Sequence, residues 1–187
     1  MTDRAFQDEE LVLQLRNGES RAMAVLYDRY ARLVFSLAVR ILNDRGGAEE
    51  VVQEVFVKVW RRARDYDATR GKFSAWLSGI AHHHAIDELR RRRVRPAATM
   101  NDDDDEAANT PDGGLGLLEL AVQSIEHRRI VDALKAIPPE QCRPIELAYF
   151  EGYTQREIAT KLDQPLGTIK TRMRLGMQKL KTLLQEM

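Results

Sequence analysis

The stretch that most constrains the fold is Gly152–Arg174, GYTQREIATKLDQPLGTIKTRMR, which predicts two short helices joined by a tight turn. Thr154 stands three residues before Glu157, the spacing of a capping box, and Ile158, Ala159 and Leu162 make an inner face. Ala159 has to be small, because a bulkier side chain would push the second helix away. Asp163-Gln164-Pro165 stops the first helix, and Gly167-Thr168 opens a second whose Ile169 and Met173 point inward at i, i+4. Its outer face carries Lys170, Thr171 and Arg174, donors suited to phosphates and base edges in a major groove. The expectation is a helix-turn-helix that reads duplex DNA; a helical hairpin with a solvated basic face is the plainer alternative.

Charge divides the rest of the chain. The 187 residues have a formal net charge of +0, but it is segregated: residues 1–96 carry 18 Lys/Arg and 14 Asp/Glu, residues 97–127 none and 8, and residues 128–187 carry 11 and 7. Two basic ends joined by an acidic middle suit two nucleic-acid-binding domains on an anionic tether. The middle, with Asp102 to Glu106 and then Asn109 to Gly114, is poor in apolar residues and rich in breakers, so it is expected to be extended or disordered and to hold the domain boundary. Leu115 to Val122 is apolar enough for a short helix, read first as a lead-in to the second domain and otherwise as a segment that docks on a partner. No run is long enough to span a membrane, the first ten residues lack the order of a secretory signal, and the single cysteine, Cys142, cannot form an internal disulfide. A cytoplasmic location is the expectation.

Everything else is helical by period, and no alternating β-branched run argues for a strand, so the fold class is all-α. Glu9 to Asn17 and Ser20 to Leu42 form two helices. A third runs from Gly47 to about Ala63, with Val52, Val55, Phe56, Val59 and Trp60 as an apolar stripe and Glu50, Gln53, Glu54, Lys58 and Arg61 opposite. A loop from Asp65 to Gly71 leads to a fourth helix, Ser74 to Arg93, with Trp76, Leu77, Ile80, Ala81, Ile86 and Leu89 as core contacts. After residue 128, Ile130 to Ile137 is expected to form a helix stopped by Pro138-Pro139, and Arg143 to Glu151 another.

The fourth helix ends in Arg90, Arg91, Arg92 and Arg93, too dense a cluster for internal pairing with Asp87 and Glu88 alone, so phosphate is the expected partner for several. Tyr66, Phe73 and Trp76 lie just upstream, and aromatic rings beside a basic helix offer stacking surface to unpaired bases; as single residues they also read as ordinary core. His82-His83-His84 does not make a metal site, because consecutive helix residues point about 100° apart and no further ligand stands at the needed spacing. They are expected to be polar groups near the same anionic ligand, with partial charge near neutral pH. No glycine loop for phosphate, no Ser/His/Asp order and no secluded carboxylate pair is present, so no catalytic residue and no cofactor is expected.

With both ends in view, the chain resembles the extracytoplasmic-function (ECF) sigma factors, two-domain bacterial transcription initiation factors. Ala48 to Trp60 (AEEVVQEVFVKVW) resembles the family's region 2.2, Phe73 to Arg90 (FSAWLSGIAHHHAIDELR) regions 2.3 and 2.4, and Gly152 to Arg174 region 4.2. The resemblance implies a region 2 domain over residues 1–96, an acidic linker over 97–125 and a region 4 domain over 126–187. It implies that Glu50, Gln53, Glu54 and Phe56 dock on the clamp helices of the largest subunit of core RNA polymerase. It assigns the minus-10 element of promoter DNA to Asp67, Arg70, Lys72, Phe73, Trp76 and the four arginines, and the minus-35 element to Arg156, Thr168, Lys170, Thr171 and Arg174. An anti-sigma factor is implied as a further partner, and membrane insertion is not. The chain departs from the family in three places: Asp163 where glycine is usual in the turn, His83 where asparagine is common, and Leu175-Gly176-Met177 where paired basic residues usually follow.

Two other functions compete. A helix-turn-helix regulator that needs no polymerase explains the last third of the chain but leaves the Glu50–Trp60 stripe and the aromatic-plus-arginine segment without a role. An enzyme acting on nucleic acid lacks a nucleophile or metal cluster.

Overall fold

Helices dominate the described residues, 7–94 and 132–186, of the computed structural model, and no strand occurs among them. The chain divides after Asn101 into two compact units. The acidic linker, the Leu115–Val122 segment and Ile130 lie outside the described residues.

In the first unit, α1 (Asp8–Arg16) buries Leu11, Val12 and Leu15 and carries Asp8, Glu9 and Glu10 in its first turn, where negative charge complements the helix dipole. Asp8 also accepts hydrogen bonds from Arg29, at 2.5 Å, and from the Tyr30 hydroxyl, which clasps α1 to α2 (Ser20–Leu42). Ala22, Leu26, Tyr30, Val34 and Ala38 form the buried stripe of α2 at intervals of four, and α1, α3 and α4 all pack against this helix. Asn43, at φ 50°, ends α2, and the Asp44 carboxylate then accepts from the Gly46 and Gly47 amides as the cap of α3 (Arg45–Arg62). That cap starts α3 two residues earlier than its apolar period indicates. Two short 3-10 turns, Ala63–Asp65 and Ala68–Arg70, lead to α4 (Phe73–Val94), whose Phe73, Leu77, Ala81 and Ala85 repeat at intervals of four into the core. Phe73 is fully buried, worth about 1.5–3 kcal/mol relative to exposure.

Two expectations for this core need correction. Trp60, expected in the apolar stripe of α3, is 41% exposed, because it lies a further 100° around the helix from the buried Val59. Trp76, Ile80 and Leu89 are only partly buried and flank the core of α4.

The second unit contains a helical segment at residues 132–135, then α5 (Pro139–Tyr149), α6 (Gln155–Lys161) and α7 (Leu166–Glu186). α5 begins four residues before the expected Arg143. Pro139 takes the first helical position, where its missing N–H would have had no partner, and Pro144 sits inside the helix, buried beside Ile145. Thr154 and Glu157 form the full capping box of α6: the Thr154 hydroxyl accepts from the Glu157 amide at 3.3 Å, and the Glu157 carboxylate accepts from the Thr154 amide at 2.6 Å. Leu147, Ile158 and Ile169 make the buried centre, with Ala159, Leu162 and Met173 packed against it. Asp163 turns the chain at φ 49°, a left-handed conformation that Asp tolerates at about 1–2 kcal/mol. Gly176 is the contact point of α7 with α5: a β-carbon there would come within 2.7 Å of Ile145 Cδ1 and 3.2 Å of the Gln141 carbonyl oxygen. The glycine that replaces a basic residue after Arg174 is therefore a packing position.

Candidate nucleic-acid and polymerase-docking surfaces

Glu50, Gln53 and Glu54 are exposed on α3 and line one cleft of about 370 Å³ with Gly47 and Val51 and, from α4, His84, Glu88 and Arg91. The i, i+3 and i, i+4 spacing puts the three side chains on one face, and the packing of α3 on α4 adds the opposite wall. Phe56 is not part of that face. It is 5% exposed and meets the Tyr27 ring at 4.8 Å with the planes tilted by 55°, so it braces α3 from behind rather than offering a docking contact. In its place α3 exposes Val57 and Trp60, which sequence periodicity assigned inward or passed over. Lys58 Nζ donates to His84 Nδ1 at 2.5 Å, which leaves the ring proton on Nε2. Burial pushes the His84 pKa down and the Lys58 charge pushes it further, and the ring is turned toward α3. For His84, the expected place beside an anionic ligand is corrected to a contact with Lys58. His83 is exposed and its Nδ1–H donates to the Gly79 carbonyl at 2.6 Å.

The loop before α4 is built rather than slack. The Asp67 carboxylate accepts from the Thr69 amide at 2.9 Å and the Thr69 hydroxyl at 2.7 Å; these two bonds, with smaller help from the Arg70 charge, hold its pKa below the usual carboxylate value. The Tyr66 hydroxyl donates across the loop to the Gly71 carbonyl at 3.2 Å, and Gly71 adopts φ 148°. Arg70 and Lys72 are exposed. Phe73 has no surface to give a base, because it is enclosed by Tyr30 at 5.5 Å, Tyr66 at 5.7 Å and Trp76 at 5.7 Å. Its expected contact with the minus-10 element is replaced by a supporting one, and half-buried Trp76 is the ring of the cluster nearest the surface.

The arginine cluster splits. Arg92 Nη1 donates to Asp44 at 2.7 Å and its Nε to Glu88 at 3.0 Å, so it is an internal tie and not a free phosphate contact. Arg91 pairs with Glu88 at 2.8 Å through a largely exposed side chain, and Arg90 and Arg93 are exposed at the end of α4. The Asn43-Asp44 pair ahead of Arg45 was the readable signal for a helix cap, and a cap carboxylate is a natural partner for a distant arginine.

In the second unit, Arg156, Lys170, Thr171 and Arg174 are exposed and Thr168 is half-buried. Arg156 and Lys170 border a groove of about 480 Å³ between α6 and the start of α7, with Thr154, Gln155 and Leu166. Arg172 donates to the Gln164 side chain, fastening the turn to α7 and leaving the outward face to Lys170, Thr171 and Arg174.

One unit joins an acidic cleft to a basic helix end and the other is a helix-turn-helix, which defines a two-unit, all-α protein of the DNA-reading class. The family profile of Sigma-70 region 2 matches residues 26–95, and that of Sigma-70, region 4 matches residues 127–180. The chain is similar to ECF RNA polymerase sigma factor SigK of Mycobacterium ulcerans (strain Agy99), 37% identical over 174 residues that cover 93% of this chain and 91% of that one. It is 35% identical over 176 residues to SigK of Mycobacterium tuberculosis (strain ATCC 25618 / H37Rv), covering 94% and 92%. Among solved structures, Rhodobacter sphaeroides SigE in complex with the anti-sigma ChrR is 29% identical, with 100% of both chains covered and a TM-score of 0.47. The chain belongs to the ECF RNA polymerase sigma factors.

Proposed function

We propose that this chain binds core RNA polymerase and directs it to promoters that carry matching minus-10 and minus-35 elements. The observation that supports this reading most is in the first unit: Glu50, Gln53 and Glu54 share one exposed cleft beside a helix that ends in Arg90, Arg91 and Arg93. A regulator that binds only duplex DNA has no use for that pairing.

On this reading residues 1–96 are the region 2 domain, 97–125 the linker and 126–187 the region 4 domain. The clamp helices of the largest polymerase subunit meet Glu50, Gln53 and Glu54, with Phe56 holding α3 in place behind them. The loop with Asp67, Arg70 and Lys72 takes an unstacked base of the minus-10 element, and Trp76, Arg90, Arg91 and Arg93 support the opened strand. Lys170, Thr171 and Arg174 read the minus-35 element, while Arg156 and Thr168 position the backbone. Phosphodiester chemistry belongs to the polymerase, and this chain performs no catalysis of its own. An anti-sigma factor restrains it, and it works in the cytoplasm; among the described residues no helix is long and apolar enough to cross a membrane.

Run-off transcription tests the reading, with purified chain and core polymerase on the promoter upstream of the chain's own operon. A discrete transcript that requires both components is the expected result. Tight binding of duplex DNA by the chain alone, with no transcript, would favour the polymerase-independent regulator.

A further inference from the structure

Arg16, the last residue of α1, reaches a segment some fifty positions further along the chain. Its Nε donates to the Ala63 carbonyl at 3.0 Å and its Nη2 to the Tyr66 carbonyl. These two carbonyls bracket the 3-10 turn Ala63–Asp65, where α3 has just ended and the loop toward Phe73 begins. Carbonyls at a helix end lack intrahelical partners, and a planar guanidinium with its donors in a fixed fork can meet two of them at once. Lysine presents a point charge and cannot hold both in one geometry.

The remainder of the loop is tied from its other side. Tyr66 is 4% exposed, packs on Phe73 and Trp76, and bonds the Gly71 carbonyl, while Asp67 shapes the turn Ala68–Arg70. Both flanks are therefore held and the tip, at Ala68, Thr69 and Arg70, faces solvent. A groove of about 500 Å³ runs along this junction, lined among others by Leu13, Arg16, Arg64, Tyr66 and Asp67. The tip itself contributes no buried residue.

We infer that Arg16 is a positioning residue for minus-10 recognition: by holding the Ala63 and Tyr66 carbonyls it keeps the loop in the shape that receives an unstacked base. The inference rests on the proposed capture of a base by this loop. Its physical content is that a loop ordered before DNA arrives adds no ordering penalty to the capture step, and that hydrogen bonds from a charged donor are stronger than neutral ones. Arg16 acts through the backbone, so its effect falls on discrimination at one base and spares the minus-35 element and the polymerase contact.

Holoenzyme reconstituted with full-length variants separates the possibilities. Arg16→Gln, Arg16→Lys and a tip variant with Ala68→Gly, Thr69→Gly and Arg70→Gly together are compared by run-off transcription on promoters substituted at each minus-10 and minus-35 position, with core affinity measured in parallel. Arg16→Gln is expected to lose about tenfold of discrimination at one minus-10 position with core affinity and minus-35 preference unchanged, and Arg16→Lys to fall between it and the parent. If only the tip variant loses discrimination, the role of Arg16 is overturned and base capture stands. If neither loses it, both are overturned. An equal loss at every promoter position, or a loss of core binding, shows that Arg16 only holds the fold and also overturns the inference.

Discussion

Arg92 donates to Asp44 at 2.7 Å, joining the last turn of α4 to the residue that caps α3. Gly47 makes room for the pair, since a β-carbon there would lie 2.1 Å from Arg92 Nη2. An arginine committed in this way contributes little to DNA affinity. In holoenzyme binding to promoter DNA, Arg92→Ala is expected to leave the log-log salt slope unchanged, whereas Arg90→Ala and Arg93→Ala each flatten it by roughly 0.7 for a lost single-strand phosphate contact. Affinity measured across a salt series checks this, and a flatter slope for Arg92→Ala would place its guanidinium on phosphate.

The same pair makes the first unit sensitive to acid. The Arg92 hydrogen bond is the largest influence that holds the Asp44 carboxyl below its ordinary pKa, and the Gly46 and Gly47 amides add to it. A depressed carboxylate pKa stabilises the fold fully above its unfolded value, about 3.9, and that contribution disappears as pH falls through the lower folded value. Both side chains are more than a third exposed, at 43% and 36%, so the contribution is below about 1 kcal/mol. Asp44→Asn, which can still cap, is expected to weaken the fall of the thermal midpoint below about pH 4. Asp44→Ala loses the cap as well, about 1 kcal/mol at neutral pH. Thermal unfolding of the three proteins from pH 7 to pH 3 reads both effects.

Glu54 is exposed in the α3–α4 cleft and contributes nothing to the core. Charge reversal, Glu54→Lys, is expected to weaken binding to core polymerase while changing stability by less than about 0.5 kcal/mol. A binding titration paired with a melting curve checks it; normal core affinity would move the docking face elsewhere on α3, with exposed Val57 and Trp60 next in line.

Lys170 and Arg174 stand one turn apart on the outward face of α7 and are expected to behave differently. Lys170→Ala should weaken all promoters alike, as loss of a phosphate contact does, and Arg174→Ala should relax preference at a single minus-35 base pair by about 1–3 kcal/mol. A base-substitution series transcribed by holoenzyme reads the difference. Uniform loss with Arg174→Ala would assign that arginine to the backbone.

Features that depend on residues within one helical turn were legible from the order of residues alone. The Thr154–Glu157 box, the inward Ile158 and Ile169, the Asp163 turn and the span of α2 all follow from contacts at i+3 and i+4 or from one residue's backbone preference. The exposed triad of Glu50, Gln53 and Glu54 belongs to the same class, because one helix places it. Tertiary packing decided the rest. The burial of Phe56 and Phe73, the exposure of Trp60 and the lowered pKa of His84 depend on which helix lies opposite each side chain, and one helix's period cannot say where its apolar stripe stops. Arg92 meets Asp44 across 48 positions, and Arg16 meets Ala63 and Tyr66 across 47 and 50. A guanidinium on a long flexible stem can serve phosphate, carboxylate or carbonyl with the same donors. Which of these each arginine serves is set by the partner that folding brings within about 3 Å of it.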